Sequence, residues 1–548
     1  MTLKKVKVEG IILTLSACAI VIIEAIRSNA SYETAALAVN CLGFCMAPFV
    51  LFRYKMADFK RLSYLVWAIL GAILIYPIYY FFSDCDVFAS RFLFAELNVY
   101  LYGFIIIRQF IQFFIEKHRP RSRGMSVFYY VWAIMMVLCV LSVNISVWPL
   151  YFTVIFSAYY IAPLKREDVN TIFRSFVDGI IIAFIILQGA ACLHRPYLVI
   201  RYGGIFYNPN YNAFLYLLTY VALLAKMHIL RADLASKIIK GIFFLLASSM
   251  WVLVSYTGTR AALMGFIGVT FVYLLLEMAV YNKRALKTYF LLTPAMFIIA
   301  FLLRYPVYLV IRYVPQLRHH PIYYFDEYDA LVNSSGLSVI TSEELKNYNL
   351  YIPYWQATGL MSYRMQRGEN SVINEPVEDE ATNTEEIIAD YESNSEKTTY
   401  EADSNADAVY KEIKYDKLYS LLGIRKYMWM YYFSQTNFIG HEISEEHVQL
   451  TPDFLCGHPH NSFLFMSYSY GAIPGLLFLF MIFGVPVYLI IESIKEKDIS
   501  NWPAMFTSLI FIAFISYGLF ETMFPGRALL SFVFMTQLLL VKRRIMSL

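Results

Sequence analysis

The chain has 548 residues, of which 59% are hydrophobic and 16% charged, with a mean hydropathy of +0.53. That composition excludes soluble globular and disordered classes, in which charge is far more abundant. The formal net charge of +4 conceals a split: residues 313–460 carry 24 acidic against 10 basic side chains, leaving 17 against 35 for the remainder.

In chain order, fourteen apolar stretches of about 17–25 residues each predict transmembrane helices. They fall at 9–26, 33–52, 62–82, 92–114, 126–142, 147–164, 175–193, 210–228, 238–256, 261–280, 288–310, 472–491, 503–520 and 525–541, with a further short helix expected at 461–471. The expected class is an all-α polytopic membrane protein. Four regions follow: helices 1–7 in residues 1–193, helices 8–11 in 194–312, a large loop in 313–460, and re-entry with the last three helices in 461–548. The first apolar run follows a basic N-terminus but has no small-residue cleavage site and is closed by Glu24 and Arg27, so it reads as a retained helix. The seven cysteines lie mostly inside or beside apolar spans and form neither a disulfide nor a zinc framework.

If the N-terminus is cytoplasmic, the eight inner segments hold 26 Lys/Arg against six in the short outer segments. The positive-inside rule then places both termini in the cytoplasm and puts residues 194–209, 257–260, 313–460 and 521–527 outside. Within the large loop, residues 369–407 carry thirteen acidic side chains and one lysine, a composition that predicts disorder. Residues 408–438 are aromatic and apolar at helical spacing, as expected of a helix on the membrane surface or over the outer mouth.

Four outer motifs carry chemistry. In Arg201-Tyr-Gly-Gly-Ile-Phe-Tyr-Asn208-Pro209-Asn210, the glycines allow close backbone approach and Asn210 suits a helix cap, with an arginine poised for an anion. In Tyr256-Thr-Gly-Thr-Arg260-Ala-Ala, a tight turn sets Arg260 at a helix start, where a buried cation needs a partner. Gly457-His458-Pro-His460-Asn461-Ser462 offers a histidine base whose neighbour Asn461 can orient it or hold substrate. Metal binding by these histidines with His441 and His447 is the less favoured reading, since no complete ligand spacing is present. The fourth motif contains Arg425-Lys-Tyr-Met-Trp429, with Gly440 further on. Glu521 and Arg527, in the last outer turn, rank below these residues because they could simply pair with each other.

The ordered series Arg-x-Gly-Gly-x-Phe-x-Asn-Pro-Asn, Thr-Gly-Thr-Arg-Ala-Ala, Arg-x-x-x-Trp and His-Asn followed by Tyr-Gly-x-x-Gly resembles the bacterial O-antigen ligase and polymerase superfamily, specifically over about residues 195–492. The resemblance implies a GT-C-like fold in the bacterial cytoplasmic membrane and an extracytoplasmic active site. The implied activity is a metal-independent, inverting glycosyltransferase with no cofactor and no nucleic-acid partner. An undecaprenyl-diphosphate-linked glycan would be the donor, and a glycan, lipid or wall polymer the acceptor. By position, Arg201 and Arg260 would hold the diphosphate, Arg425 a diphosphate or glycan, and His460 would be the general base. His458 stands as a second choice for the base. Ligase and polymerase readings both fit. A polysaccharide flippase or exporter is the alternative of a different class, disfavoured because the arginines cluster on one face.

Overall fold

The computed structural model describes residues 3–29, 32–51, 101–107, 127–144, 147–161, 166–197, 201–206, 208–232, 237–280, 283–317, 425–442, 448–451, 454–456, 459–496 and 502–522. Outside these residues lie the expected spans 62–82 and 525–541, most of 92–114, the acidic segment 369–407, His447, His458 and Arg527.

The apolar runs fold as helices α1 (Leu3–Asn29), α2 (Tyr32–Leu51), α3 (Val127–Val140), α4 (Val147–Ile161), α5 (Arg166–His194), α6 (Pro209–Ala232), α7 (Lys237–Thr257), α8 (Arg260–Val280) and α9 (Lys283–Tyr313). After a 3-10 turn at Pro315–Leu317, the described chain resumes with α10 (Arg425–Ser434), strands β1 (Val448–Thr451) and β2 (Phe454–Cys456), and helices α11 (Ser462–Tyr470), α12 (Ala472–Glu496) and α13 (Trp502–Gly518). Seven helices among the described residues are long and apolar enough to cross a membrane, and α3 and α13 are shorter apolar helices. The protein is therefore a largely helical, polytopic membrane protein. Beside this all-α framework, β1 and β2 form one short antiparallel ladder.

Burial follows the apolar pattern. Helix α6 is apolar on nearly every face, which suits a central helix. It packs against α5, α7, α8 and α13, with Tyr216, Leu217 and Tyr220 fully buried. Helix α1 lies along α5, α13 bridges α6, α8 and α12, and α3 packs on α12, where Phe128 stacks on Phe480 at 5.6 Å. Helix α9 is the outlying member: it leans on α7 and presents Leu291, Phe301 and Leu302 outward. Because successive long helices alternate in direction, the α5–α6 and α7–α8 turns, the end of α13 and the start of α11 share one end of the bundle.

Candidate functional site

Each strand of the site begins with a local reason. Pro209 occupies the first turn of α6, where its missing N–H costs nothing. Asn208 supplies the cap instead of Asn210: its side chain accepts the Asn210 N–H at 2.9 Å. This corrects the expected role of Asn210 and frees its amide for the site. The chain leading into α6 is braced from below by two buried arginines. Arg195 Nε donates to the Gly204 carbonyl at 3.1 Å, and Arg312 donates to the Tyr197 carbonyl at 2.9 Å.

The α7–α8 turn depends on Gly258, whose φ of +63° is costly for any residue with a Cβ. Arg201 lies across this turn, its Nε donating to the Thr257 carbonyl at 2.9 Å and a terminal nitrogen donating to Thr259 Oγ1 at 3.1 Å. The same guanidinium donates to Asn210 Oδ1 at 2.5 Å, and Thr259 donates to that oxygen at 3.1 Å. Arg260 opens α8 next to Thr259, but its side chain is exposed, correcting the expectation of a buried cation.

Glu521 sits where these elements meet, with its side chain 8% exposed. Asn210 Nδ2 donates to Oε1 at 2.6 Å, the Arg425 guanidinium lies 3.7 Å from the same oxygen, and His460 Nδ1 is 3.2 Å from Oε2. Its backbone is held as well, because Ser462 Oγ donates to the Glu521 carbonyl at 2.8 Å. Tyr517, one turn earlier on α13, donates its hydroxyl to the Asn210 carbonyl. Thus α13 and α6 are tied at both the side chain and the backbone of Asn210.

His460 adopts φ +45°, in the left-handed region that non-glycine residues rarely occupy. The strain turns the chain sharply into α11, whose cap is Asn461: its Oδ1 accepts the Phe463 and Leu464 N–H groups at 2.9 and 3.1 Å. Asn461 Nδ2 donates to the Leu519 carbonyl at 3.1 Å. Asn461 therefore holds the α11 start against the end of α13, so it positions His460 through the backbone. A carboxylate oxygen facing Nδ1 suits the tautomer that carries its proton on that nitrogen.

Helix α10 covers this arrangement. Trp429, one turn after Arg425, donates its indole N–H to the Pro459 carbonyl at 3.1 Å. Both residues pack on Phe520, the Arg425 guanidinium 5.9 Å and the Trp429 ring 6.1 Å from its centroid. On the next face, Met428 and Tyr432 are buried, with Tyr432 against Tyr468 at 4.8 Å. The loop after α10 is docked at Gly440, where a Cβ would collide with the Ser469 carbonyl, and the Ala472 N–H donates to the Asn437 carbonyl at 2.7 Å. His441 belongs to this docking: its ring stacks on Tyr468 at 4.3 Å and its Nε2 meets the Gln435 carbonyl at 2.6 Å. Among the described residues, no group of three or more His, Cys, Asp or Glu side chains is arranged to hold a metal ion.

Electrostatically, Glu521 faces two arginines and a histidine, and the residues around it stand at the N-terminal ends of α6, α8, α10 and α11. Helix N-termini add partial positive charge. Arg201 keeps solvent contact but is crowded by protein atoms. This desolvation lowers its pKa from the ordinary arginine value, while Tyr517 and Glu521 oppose the shift and Arg425 adds to it. It remains a cation at neutral pH, since arginine starts from so high a value. The site thus gathers two guanidinium groups and several helix N-termini around one carboxylate, with a histidine–carboxylate pair at its edge.

Sequence reasoning picked out Arg201, Asn210, Arg425, His460 and Glu521, which the fold brings together across more than 300 positions of chain. It placed Glu521 low, quoted Thr259 and Trp429 only as parts of their motifs, and passed over Tyr517. The i, i+4 spacing of Arg425 and Trp429 was the available signal that both address one surface. No protein-family profile, curated protein or solved structure matches the chain.

Proposed function

We propose that this protein is an integral-membrane glycosyltransferase of about fourteen spans with a GT-C-like fold. In this reading it moves a glycan from an undecaprenyl-diphosphate carrier to an acceptor hydroxyl on the outer face of a bacterial cytoplasmic membrane, with both termini inside. The observation that supports it most is the convergence of Arg425 and His460 on Glu521, with Arg201 joined to it through Asn210, at four helix N-termini at one end of a bundle of membrane-spanning helices. A lipid-linked diphosphate would enter with its tail among the helices and its charge at this end.

In the proposed reaction the acceptor O–H loses its proton to His460 Nε2 while the oxygen attacks the anomeric carbon. The bond from that carbon to the diphosphate breaks, and its electron pair leaves with the lipid diphosphate. Glu521 on Nδ1 fixes the tautomer and stabilises the imidazolium that forms. Arg201 and Arg425 bind the growing negative charge by fixed hydrogen-bond donors, aided by Arg260 at the start of α8. A single direct displacement inverts the anomeric centre.

The test is transfer of a fluorescent undecaprenyl-diphosphate glycan by purified protein in EDTA, with His460→Ala and Arg201→Ala alongside. Transfer by the native chain and its loss in both variants support the reading. A ladder of products identifies a polymerase, and a single adduct a ligase. Absence of transfer, together with passage of the lipid-linked glycan across proteoliposomes, overturns it in favour of a flippase or exporter.

A further inference from the structure

Helices α8 and α9 are consecutive in the chain, yet α9 packs mainly on α7 and only lightly touches α8. The space left between them is a cavity of about 450 Å³, backed by α6 and flanked by α7, within the usual range of about 300–1,000 Å³ for ligand pockets. Its walls are almost entirely apolar. The hydroxyls of Tyr220 and Thr270, which line it, are 2.7 Å apart, and Thr270 also donates to the Phe266 carbonyl at 2.7 Å, so both protons are already used and they ask for no polar guest. One charge stands in the lining: Lys240, half-buried, with no ion-pair partner among the described residues.

The mouth opens sideways. Leu292 lines the cavity and is 37% exposed, while the neighbouring Leu291 and Leu275 are 70% and 42% exposed. A cavity bordered by exposed apolar side chains of membrane-spanning helices fills from the bilayer. Its depth is fixed by α7: Lys240 and Thr257 are 17 residues apart, or roughly 25 Å at 1.5 Å per residue. The lysine therefore lies near the membrane boundary opposite the Glu521 site.

We propose that this cavity is a binding site for an anionic glycerophospholipid of that opposite leaflet. An acyl chain fills the space between α8 and α9, and Lys240 pairs with the headgroup phosphate. An ammonium with no ion-pair partner among the described residues, at the rim of an apolar cavity, selects a molecule with an apolar chain and a negative head, a combination the bilayer supplies at high local concentration. The distance along α7 separates this ligand from anything bound at the Glu521 site, so the proposal stands whether or not the glycosyltransferase reading does.

Gly241 gives a clean test, because a Cβ added there meets no heavy atom within 4 Å. Gly241→Leu should thus fill the cavity without disturbing the helices. Protein purified in detergent is titrated with phosphatidylglycerol or phosphatidylcholine of identical chains, following bound lipid by native mass spectrometry and Tm by thermal unfolding. The native chain should retain phosphatidylglycerol about fivefold more tightly, the factor one lysine near an anionic headgroup supplies, with a matching dose-dependent rise in Tm. Lys240→Ala should make the two lipids equal. Gly241→Leu should abolish retention of both, with Tm in detergent alone unchanged. Equal retention of the two lipids by the native chain overturns the proposal, as does undiminished retention by a folded Gly241→Leu protein. A Gly241→Leu chain that fails to fold leaves Lys240→Ala, whose unchanged preference for phosphatidylglycerol is equally fatal.

Discussion

Where Arg201, Arg425 and His460 gather, one carboxylate meets both Arg425 and His460 and is linked to Arg201 through Asn210, and Arg425 and His460 keep more than a third of their side-chain surface exposed. Some 25 Å along α6, by its helical rise, charge is arranged one to one. Lys226 bonds Asp178 of α5 at 2.6 Å, and His228 Nδ1 meets Glu277 of α8 at 2.5 Å with both side chains almost wholly buried. Both regions put ionisable groups on membrane-spanning helices or at their ends, at a cost that must be offset. In the second each group has a partner across a helix boundary, which ties α6 to its neighbours. In the first, Arg201 and Arg425 lie near a single described carboxylate, and the charge is concentrated at one end of the bundle. The first arrangement is suited to binding and the second to holding helices in register.

The comparison breaks most sharply if the two regions respond alike to mutation. Truncating His460 to Ala should cut turnover by about 10²–10⁴-fold, the range for a positioned acid–base group, and leave thermal stability nearly unchanged. Glu521→Gln should also lower turnover, and the double variant should be little worse than His460→Ala alone, because the two groups act as one unit. Additive losses in that cycle would separate Glu521 from the histidine. Glu277→Ala should do the reverse. Leaving one member of a buried pair uncompensated costs about 3–5 kcal/mol of stability, read as a lowered Tm, while the transfer rate of the surviving folded protein stays close to native. A selective loss of turnover there would give the His228–Glu277 pair a functional role that its closure argues against.

A smaller effect should sharpen the picture of the arginine cradle. Placing a side chain at Gly258 forces φ +63° on a residue with a Cβ, at about 1–2 kcal/mol. The added Cβ of Gly258→Ala would also lie 3.4 Å from Arg201 Cγ. The expected result is weaker donor binding, seen as a raised KM with kcat largely kept. An unchanged KM would mean that the Arg201 position is not set by this turn.

Much of this was legible along the chain because membrane spans announce themselves by unbroken apolar length. Eleven of the fourteen expected stretches coincide with described helices, and the remaining three fall wholly or mostly outside the described residues. The site was legible only as pieces. Glu521 and Asn210 are 311 positions apart, and nothing local to Glu521 separates a site carboxylate from one that pairs with Arg527. Arg260 looked like the buried cation because it opens a helix, yet Arg195 and Arg312 take that place by bonding backbone carbonyls. At Asn208-Pro209-Asn210, the preference of proline for the first helical turn already pointed to Asn208 as the cap. The β1–β2 ladder also had a signal, Thr451-Pro-Asp-Phe454 between two short runs rich in β formers, which the acidic, irregular setting of the loop obscured.

The smallest expected effect tests how α10 reaches the site. Trp429 fixes this helix by its indole N–H to the Pro459 carbonyl and by its ring against Phe520, while Met428 and Tyr432 bury the adjoining face. Trp429→Phe keeps an aromatic ring and removes the bond, so the loss in stability should be only about 0.5–1.5 kcal/mol. Pro459 precedes His460, and Arg425 lies one turn before Trp429, so the same bond couples the cation on α10 to the backbone that carries the histidine. Donor binding should therefore weaken several-fold, and Arg425→Ala should remove most of the additional effect of Trp429→Phe. If the two losses instead add in full, Trp429 acts on the histidine directly through Pro459, and α10 is a clamp on the α11 entry rather than a carrier for Arg425.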